Sequence, residues 1–380
     1  MVIAALVARA VVMWDRGRLA EALDLSAEAV RMAAGRQPDA RQGHPHLFLA
    51  SRLVDLRRFD EARSVIRAAG DHAGPLDLSG WSATPATLRA RMSLAAGRLD
   101  DAFADAQADL SVANAPGSHL HGSGAPAVLA TVALRRGDLN AAARHMQCPQ
   151  AGRSQFGAAY ADTWDTVVAA QIEEARNGPR ASLKLLAGVY AELGTHRFLL
   201  MCDPACAAWL VRAALAAGDQ ERAETAAAAA GEISRGSPEF GVAAASAAHA
   251  GGIVHRDPAR LEQAATGHAD PWARASAGED LGVLLAETGS HSDAIVRLDQ
   301  AIEGYETTGA DRDVARVRRR LRRLGVRRRH WAVKARPTTG WLSLTGTECT
   351  VAEVVSQGFT NQQVADQMFI SVHTVAFHLR

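Results

Sequence analysis

Lysine is almost missing from this 380-residue chain: Lys184 and Lys334 are the only two, so its positive charge is carried by arginine. That scarcity bears on nucleotide chemistry, because a Walker A loop needs Gly-x4-Gly-Lys-(Ser/Thr) and neither lysine stands in one. The glycine-bearing stretch Gly117-Ser-His-Leu-His-Gly-Ser-Gly124 runs into Ala-Pro instead. Cysteine is also scarce. Cys148, Cys202, Cys206 and Cys349 are too scattered for a disulfide framework and fit a reducing cytoplasm. No Gly-x-Ser-x-Gly elbow and no His-Glu-x-x-His helix occurs. The pairs His44/His46, His119/His121 and Cys202/Cys206 lack a second ligand pair at zinc spacing. The chain is therefore expected to be no enzyme and to need neither cofactor nor metal. Long apolar runs are missing too. The opening MVIAALVARAVVMWDRG is interrupted at Arg9 and closed by Asp15 and Arg16, so it reads as a buried helix rather than a signal or membrane anchor.

Aromatic residues make up 5% of the chain and β-branched runs are short, while Ala and Leu dominate. An all-α fold follows. Net charge is +1 overall but unevenly spread. The stretch 314–347 holds eleven basic residues and no acidic one, behind an acidic body.

A short pattern recurs as Gly17-Arg-Leu-Ala-Glu-Ala22, Gly97-Arg-Leu-Asp-Asp-Ala102 and Gly137-Asp-Leu-Asn-Ala-Ala142, with a glycine-less copy at Arg57-Arg-Phe-Asp-Glu-Ala62. Ala22, Ala62, Ala102 and Ala142 stand 40 residues apart. Looser copies lie at Asn177 to Ser182, Gly218 to Ala223 and Gly289 to Ala294, with a degenerate one at Asp257 to Leu261. Each copy predicts a helical hairpin: the glycine ends one helix in the left-handed conformation, the next residue opens a second, and the alanine lets helices approach. Leu19, Leu23 and Val30, or Ile295, Leu298 and Ile302, follow helical spacing. Stacked hairpins make a superhelix with a concave surface suited to a ligand or peptide. The pattern resembles tetratricopeptide repeats, which run to about 34 residues, with the excess expected in loops such as Pro116 to Pro126. Trp164, Trp209 and Trp272 are read as core or groove-lining residues.

The array closes with a helix through DRDVARVRRRLRRLGVRRRHW, striped by Val314, Val317, Leu321 and Leu324 and capped at Gly325. Its arginines from Arg316 to Arg336 read either as a solvated face or as contacts to a DNA backbone. The expected domains are 1–325, a basic linker at 326–340, and a separate module at 341–380.

That module predicts three short helices. Thr345 with Glu348 and Thr360 with Gln363 form capping boxes, Ser371 caps a third helix, Gly358 ends the first, and Phe369-Ile370 turns between the second and third. Val351, Val354, Val355, Val364, Met368, Ile370, Val375 and Leu379 are the candidate core. In order and spacing, Leu344-Thr345-x-x-Glu348, Gly358-x-Thr360-Asn361-x-x-Val364-Ala365 and Ile370-Ser371-x-x-Thr374-Val375-x-x-His378-Leu379 resemble the LuxR-type helix-turn-helix signature.

The resemblance implies a third helix that enters the major groove, where Ala376, Phe377 and Arg380 would face bases. Thr360, Asn361, Ser371, His373 and Thr374 would lie at helix starts beside phosphates. It also implies a recognition helix that continues beyond Arg380, and a basic fourth helix that supports dimerisation. With the array before it, the chain resembles the C-terminal part of the large ATP-dependent LuxR regulators, and reads as a piece lacking both an ATPase and the end of its DNA-binding domain. The expected function is a DNA-binding transcriptional regulator, with double-stranded promoter DNA as partner and an inducer or regulatory protein on the array. Weak or no DNA binding by the chain as it stands is expected, because Arg380 alone opposes Glu348, Glu353 and Asp366. The alternative is an interaction scaffold with a terminal domain that no longer touches DNA.

Overall fold

Gly17, Gly97 and Gly137 adopt φ values of 73°, 76° and 90°, and Arg57, at the matching place in the glycine-less copy, adopts 62°. The next residue then donates its N–H to a carbonyl five residues back. Arg18 bonds Met13, Arg58 bonds Leu53, Arg98 bonds Ser93 and Asp138 bonds Ala133, each at 2.9 Å. This left-handed cap satisfies the last carbonyls of one helix while turning the chain into the next. The sequence repeat is thus a repeated turn.

The computed structural model describes residues 2–33, 45–71, 85–113, 124–147, 158–194, 197, 199–326, 346–368, 372, 375–376 and 379. These are all-α. The first four hairpins pair α1 (Val2–Asp15) with α2 (Leu19–Ala33), α3 (Pro45–Asp55) with α4 (Phe59–Asp71), α5 (Pro85–Ala95) with α6 (Leu99–Ala113), and α7 (Ala125–Arg136) with α8 (Leu139–Met146). Next come α9 (Ala158–Asn177) with α10 (Pro179–Leu185), then the short α11 (Ala187–Glu192) and α12 (Leu199–Cys202). The hairpins resume as α13 (Cys206–Ala216) with α14 (Gln220–Gly236), α15 (Gly241–Val254) with α16 (Pro258–Gly267), and α17 (Pro271–Glu287) with α18 (His291–Thr307). α19 (Asp311–Arg323) follows, and α20 (Gly346–Ser356) and α21 (Asn361–Met368) lie in the terminal module. The chain divides into two units, Met1–Gly325 and Val326–Arg380.

The looser repeat copies turn as well, at Gly178, Gly218 and Gly289, all at positive φ. The first of these is displaced by one residue from the expected Asn177. The degenerate copy turns at Arg256, φ 54°, and an unanticipated turn of the same kind sits at Gly309. Ala22, Ala62, Ala102 and Ala142 are fully buried, as close helix approach requires. The loop segment 116–123 lies outside the described residues, whereas Pro126 sits in the first turn of α7.

The surface made by the first turns does not stand open, which corrects the expectation of a long concave groove. Ser237, after α14, accepts from the Leu19 N–H at 3.0 Å and donates to the Gly17 carbonyl at 2.9 Å. Arg57 binds Asp270 with both ends of its guanidinium, at 2.8 and 2.6 Å. A Cβ at Gly97 would lie 2.6 Å from Thr308 Cγ2, and one at Gly137 would lie 3.8 Å from Arg312 Cβ. The array therefore curls until its later hairpins rest on its earlier turns, and one continuous core runs from Trp14 to Ala250.

The arginines of α19 do not form a purely solvated face. Buried Glu279 accepts from Arg316 at 2.8 and 2.6 Å, Arg320 at 2.9 Å and the Tyr305 hydroxyl at 2.9 Å, and Arg318 pairs with Glu306 at 2.8 Å. Burial works to raise the Glu279 carboxyl, but Arg316 and Arg320 hold it below its ordinary value. Arg319, Arg322 and Arg323 remain exposed, and 327–336 lies outside the described residues. The opening helix buries Ile3, Ala10 and Trp14 while Val2, Val11 and Val12 stay exposed, so only one face of it is core. Among the described residues, no helix is long and apolar enough to cross a membrane.

Candidate nucleic-acid interface

The terminal unit is organised around a reciprocal cap. The Thr360 N–H donates to Gln363 Oε1 at 2.9 Å, and the Gln363 N–H returns to Thr360 Oγ1 at 3.4 Å. This is the Thr-x-x-Gln box read from the sequence, and it fixes the start of α21. Just before it, Gly358 turns at φ 88° and donates its N–H to the Val355 carbonyl at 2.9 Å, ending α20. The first box stands differently: Glu348 lies in the first turn of α20, but Thr345 lies outside the described residues.

Val351 and Val354 from α20, Val364 and Ala365 from α21, and Val375 form a small core, with Val355 and Met368 packed on it. Val375 is fully buried, so the segment after α21 is fastened at that point. Leu379, expected in this core, is 43% exposed, because no apolar neighbour among the described residues covers it. Ile370 lies outside the described residues.

Of the sequence-derived DNA-contact residues, Thr360 and Asn361 are exposed side by side at the N-terminus of α21, and Ala376 is half-buried beside Val375. Ser371, His373, Thr374, Phe377 and Arg380 lie outside the described residues. Gln362, which the motif does not single out, is exposed next to Asn361 and donates to Asp366 at 3.1 Å. The free N–H groups and dipole of a helix start favour a phosphate oxygen there. Charge does not: the described part of this unit contains Glu348, Glu353 and Asp366 and no basic residue.

Elsewhere, the three tryptophans singled out in the sequence have structural surroundings. Trp209 donates to Glu174 and Trp272 to Asp313, both at 2.8 Å, while Trp164 is buried. Cys202 and Cys206 are not joined in a disulfide, and burial pushes Cys206 well above its ordinary value.

Residues 342–380 match the family described as bacterial regulatory proteins, luxR family. Two proteins carrying the name HTH-type transcriptional regulator, one from Mycobacterium bovis and one from Mycobacterium tuberculosis strain H37Rv, are each 46% identical over 46 residues. That similarity covers 12% of this chain and 5% of either relative, so it concerns one small segment of proteins far longer than this one. Capping box, glycine turn and valine core agree with it: the C-terminal segment of the chain is a LuxR-type helix-turn-helix domain.

Proposed function

We propose that the chain is the DNA-binding and signal-receiving part of a transcriptional regulator. The observation that carries this reading is the Thr360–Gln363 cap, which presents Thr360 and Asn361 outward at the start of α21 while Val375 anchors the segment that follows. In this reading Thr360, Asn361, His373 and Thr374 hold phosphates, Ser371 caps the recognition helix, and Ala376, Phe377 and Arg380 face bases in the major groove. The unit 1–325 is a tetratricopeptide-like array that receives an inducer or a regulatory protein, and 326–340 is a basic linker. The intact regulator belongs to the large ATP-dependent LuxR type, carries its ATPase elsewhere, and dimerises on promoter DNA.

The test is selection of double-stranded DNA from a random pool by the 380-residue chain, followed by fluorescence anisotropy at several salt concentrations. Sequence-selective binding that is weak and falls steeply with salt is the expected result. Equal affinity for every sequence, or none even at low salt, would overturn it in favour of an interaction scaffold.

A further inference from the structure

Between the early turns and α9, α12 and α13 of the array lies a pocket of about 40 Å³. That is room for roughly three water molecules, by the measure that one needs about 10–15 Å³. Its polar lining includes three arginines, Arg57, Arg91 and Arg135, together with Gln171, Asp203 and Asp270.

Two of the arginines are already engaged. Arg57 is held by Asp270, and Arg91 pairs with Asp55 and reaches Ser51 Oγ at 3.3 Å. Arg135 is different. Among the described residues, its five N–H donors meet one protein acceptor, the Leu94 carbonyl at a long 3.5 Å, and its guanidinium lies over the Trp272 ring at 4.4 Å. Burial pushes Arg135 below its ordinary value, against the pull of Asp203, Asp313 and Asp270. Among the described residues, the Gln171 side chain has no hydrogen-bond partner. Asp203 accepts from the Ala205 N–H at 3.0 Å and forms no ion pair with Arg135. The pocket thus offers a cation with unspent donors, an amide and a carboxylate acceptor around a space of three to four atoms.

We propose that this pocket binds a small planar oxyanion that also carries a hydroxyl donor, with bicarbonate the smallest example. Two of its oxygens accept from Arg135 and Gln171, and its O–H donates to Asp203. A donorless anion of the same size would set an oxygen against the Asp203 carboxylate and bind less well. Arg135, on α7, and Asp203, beside α12 and α13, belong to different parts of the curled array, so the ion ties them together. As a signal, the ion rests on the sensory reading of the array given above; as a site, it rests on the geometry alone.

The test titrates the full chain with sodium bicarbonate in a sealed cell at pH 8, and in parallel with sodium nitrate, a planar monoanion without a donor. Ionic strength is held constant, and melting temperature and tryptophan fluorescence are read. Bicarbonate is expected to give a saturable response in the millimolar range, with nitrate at least several-fold weaker. Arg135→Gln is expected to weaken bicarbonate at least tenfold without lowering the melting temperature of the unliganded protein, and Asp203→Asn to bring nitrate and bicarbonate level. A non-saturating response shared by both salts, or undiminished in Arg135→Gln, would overturn the site. Should Arg135→Gln not fold, the wild-type and Asp203→Asn selectivities decide. Saturable binding that leaves DNA affinity unchanged would overturn the sensory reading and leave the site standing.

Discussion

Arg57 grips Asp270 from 213 residues away, with Nε–Oδ1 at 2.8 Å and Nη2–Oδ2 at 2.6 Å, and it does so from a left-handed backbone at φ 62°. Its side chain also donates to the Asp55 carbonyl at 2.9 Å. A turn that takes glycine in the sister copies has here kept a side chain, at the cost of an unfavourable conformation.

The two contributions can be separated by substitution. Arg57→Ala removes the partner of a buried carboxylate and is expected to cost about 3–5 kcal/mol. Arg57→Gly loses the same pair but relieves a strain of about 1 kcal/mol, so it should be the milder change. Urea unfolding of both variants checks the order. Equal loss would mean that the left-handed turn carries no strain.

Gly97 faces Thr308 so closely that an added Cβ would sit 2.6 Å from Cγ2, at a φ of 76°. Gly97→Ala therefore combines a left-handed alanine with overpacking, about 2–4 kcal/mol together. Gly289, at φ 88°, has nothing within 4 Å of its Cβ position, so Gly289→Ala should cost only the backbone part, about 1–2 kcal/mol. A difference of less than about 0.5 kcal/mol between the two in denaturant midpoints would contradict the close approach.

The hairpins were legible because their signal is local: a left-handed turn, a helix start and a small alanine fall within six residues, as at Gly97 to Ala102. The cap at Thr360 and Gln363 was legible for the same reason. The curling of the array was not, because it depends on pairs such as Ser237 with Gly17 and Arg57 with Asp270, whose polar residues look like ordinary exposed ones in sequence. Arg316 and Arg320 read as surface charge until Glu279 is placed beside them. Arg135, Gln171 and Asp203 follow no shared motif; only the packing of α7, α9 and the α12–α13 turn around one pocket joins them.

Acid should weaken the array through a buried chain of histidines. His249 Nδ1 lies 3.2 Å from His268 Nε2, and His249 Nε2 lies 2.8 Å from Asp280, which also pairs with Arg212. Burial lowers His249 despite the bond to Asp280, and burial with His249 and Arg57 nearby lowers His268 further. Burial would raise Asp280, but Arg212 and His249 bring it down to about 2. With both histidines depressed when folded, the unfolded chain binds more protons, so stability rises with pH. It is complete above the unfolded histidine value of about 6.5 and lost as pH falls below it, by up to about 1.4 kcal/mol per pH unit for each histidine. Melting temperatures from pH 8 to 5 should decline below pH 6.5, and less steeply in His268→Gln. A flat profile in the wild type would contradict the assignment.

Thr360 both caps α21 and faces DNA in the proposed interface, whereas Asn361 only faces DNA. Thr360→Ala removes half of the capping box and a phosphate contact together, so it should cost the terminal domain about 1 kcal/mol and lower DNA affinity by more than that unfolding accounts for. Asn361 is exposed beside it, so Asn361→Ala should change stability by no more than about 0.5 kcal/mol while weakening the DNA complex directly. As a neutral side chain it displaces no counterion, and the salt slope should stay as in the wild type. Arg380→Ala should instead relax base preference at one position, as loss of an arginine that reads guanine requires. Anisotropy titrations across salt, run beside thermal unfolding, measure both quantities on the same protein. Asn361→Ala with unchanged affinity would remove the start of α21 from the interface.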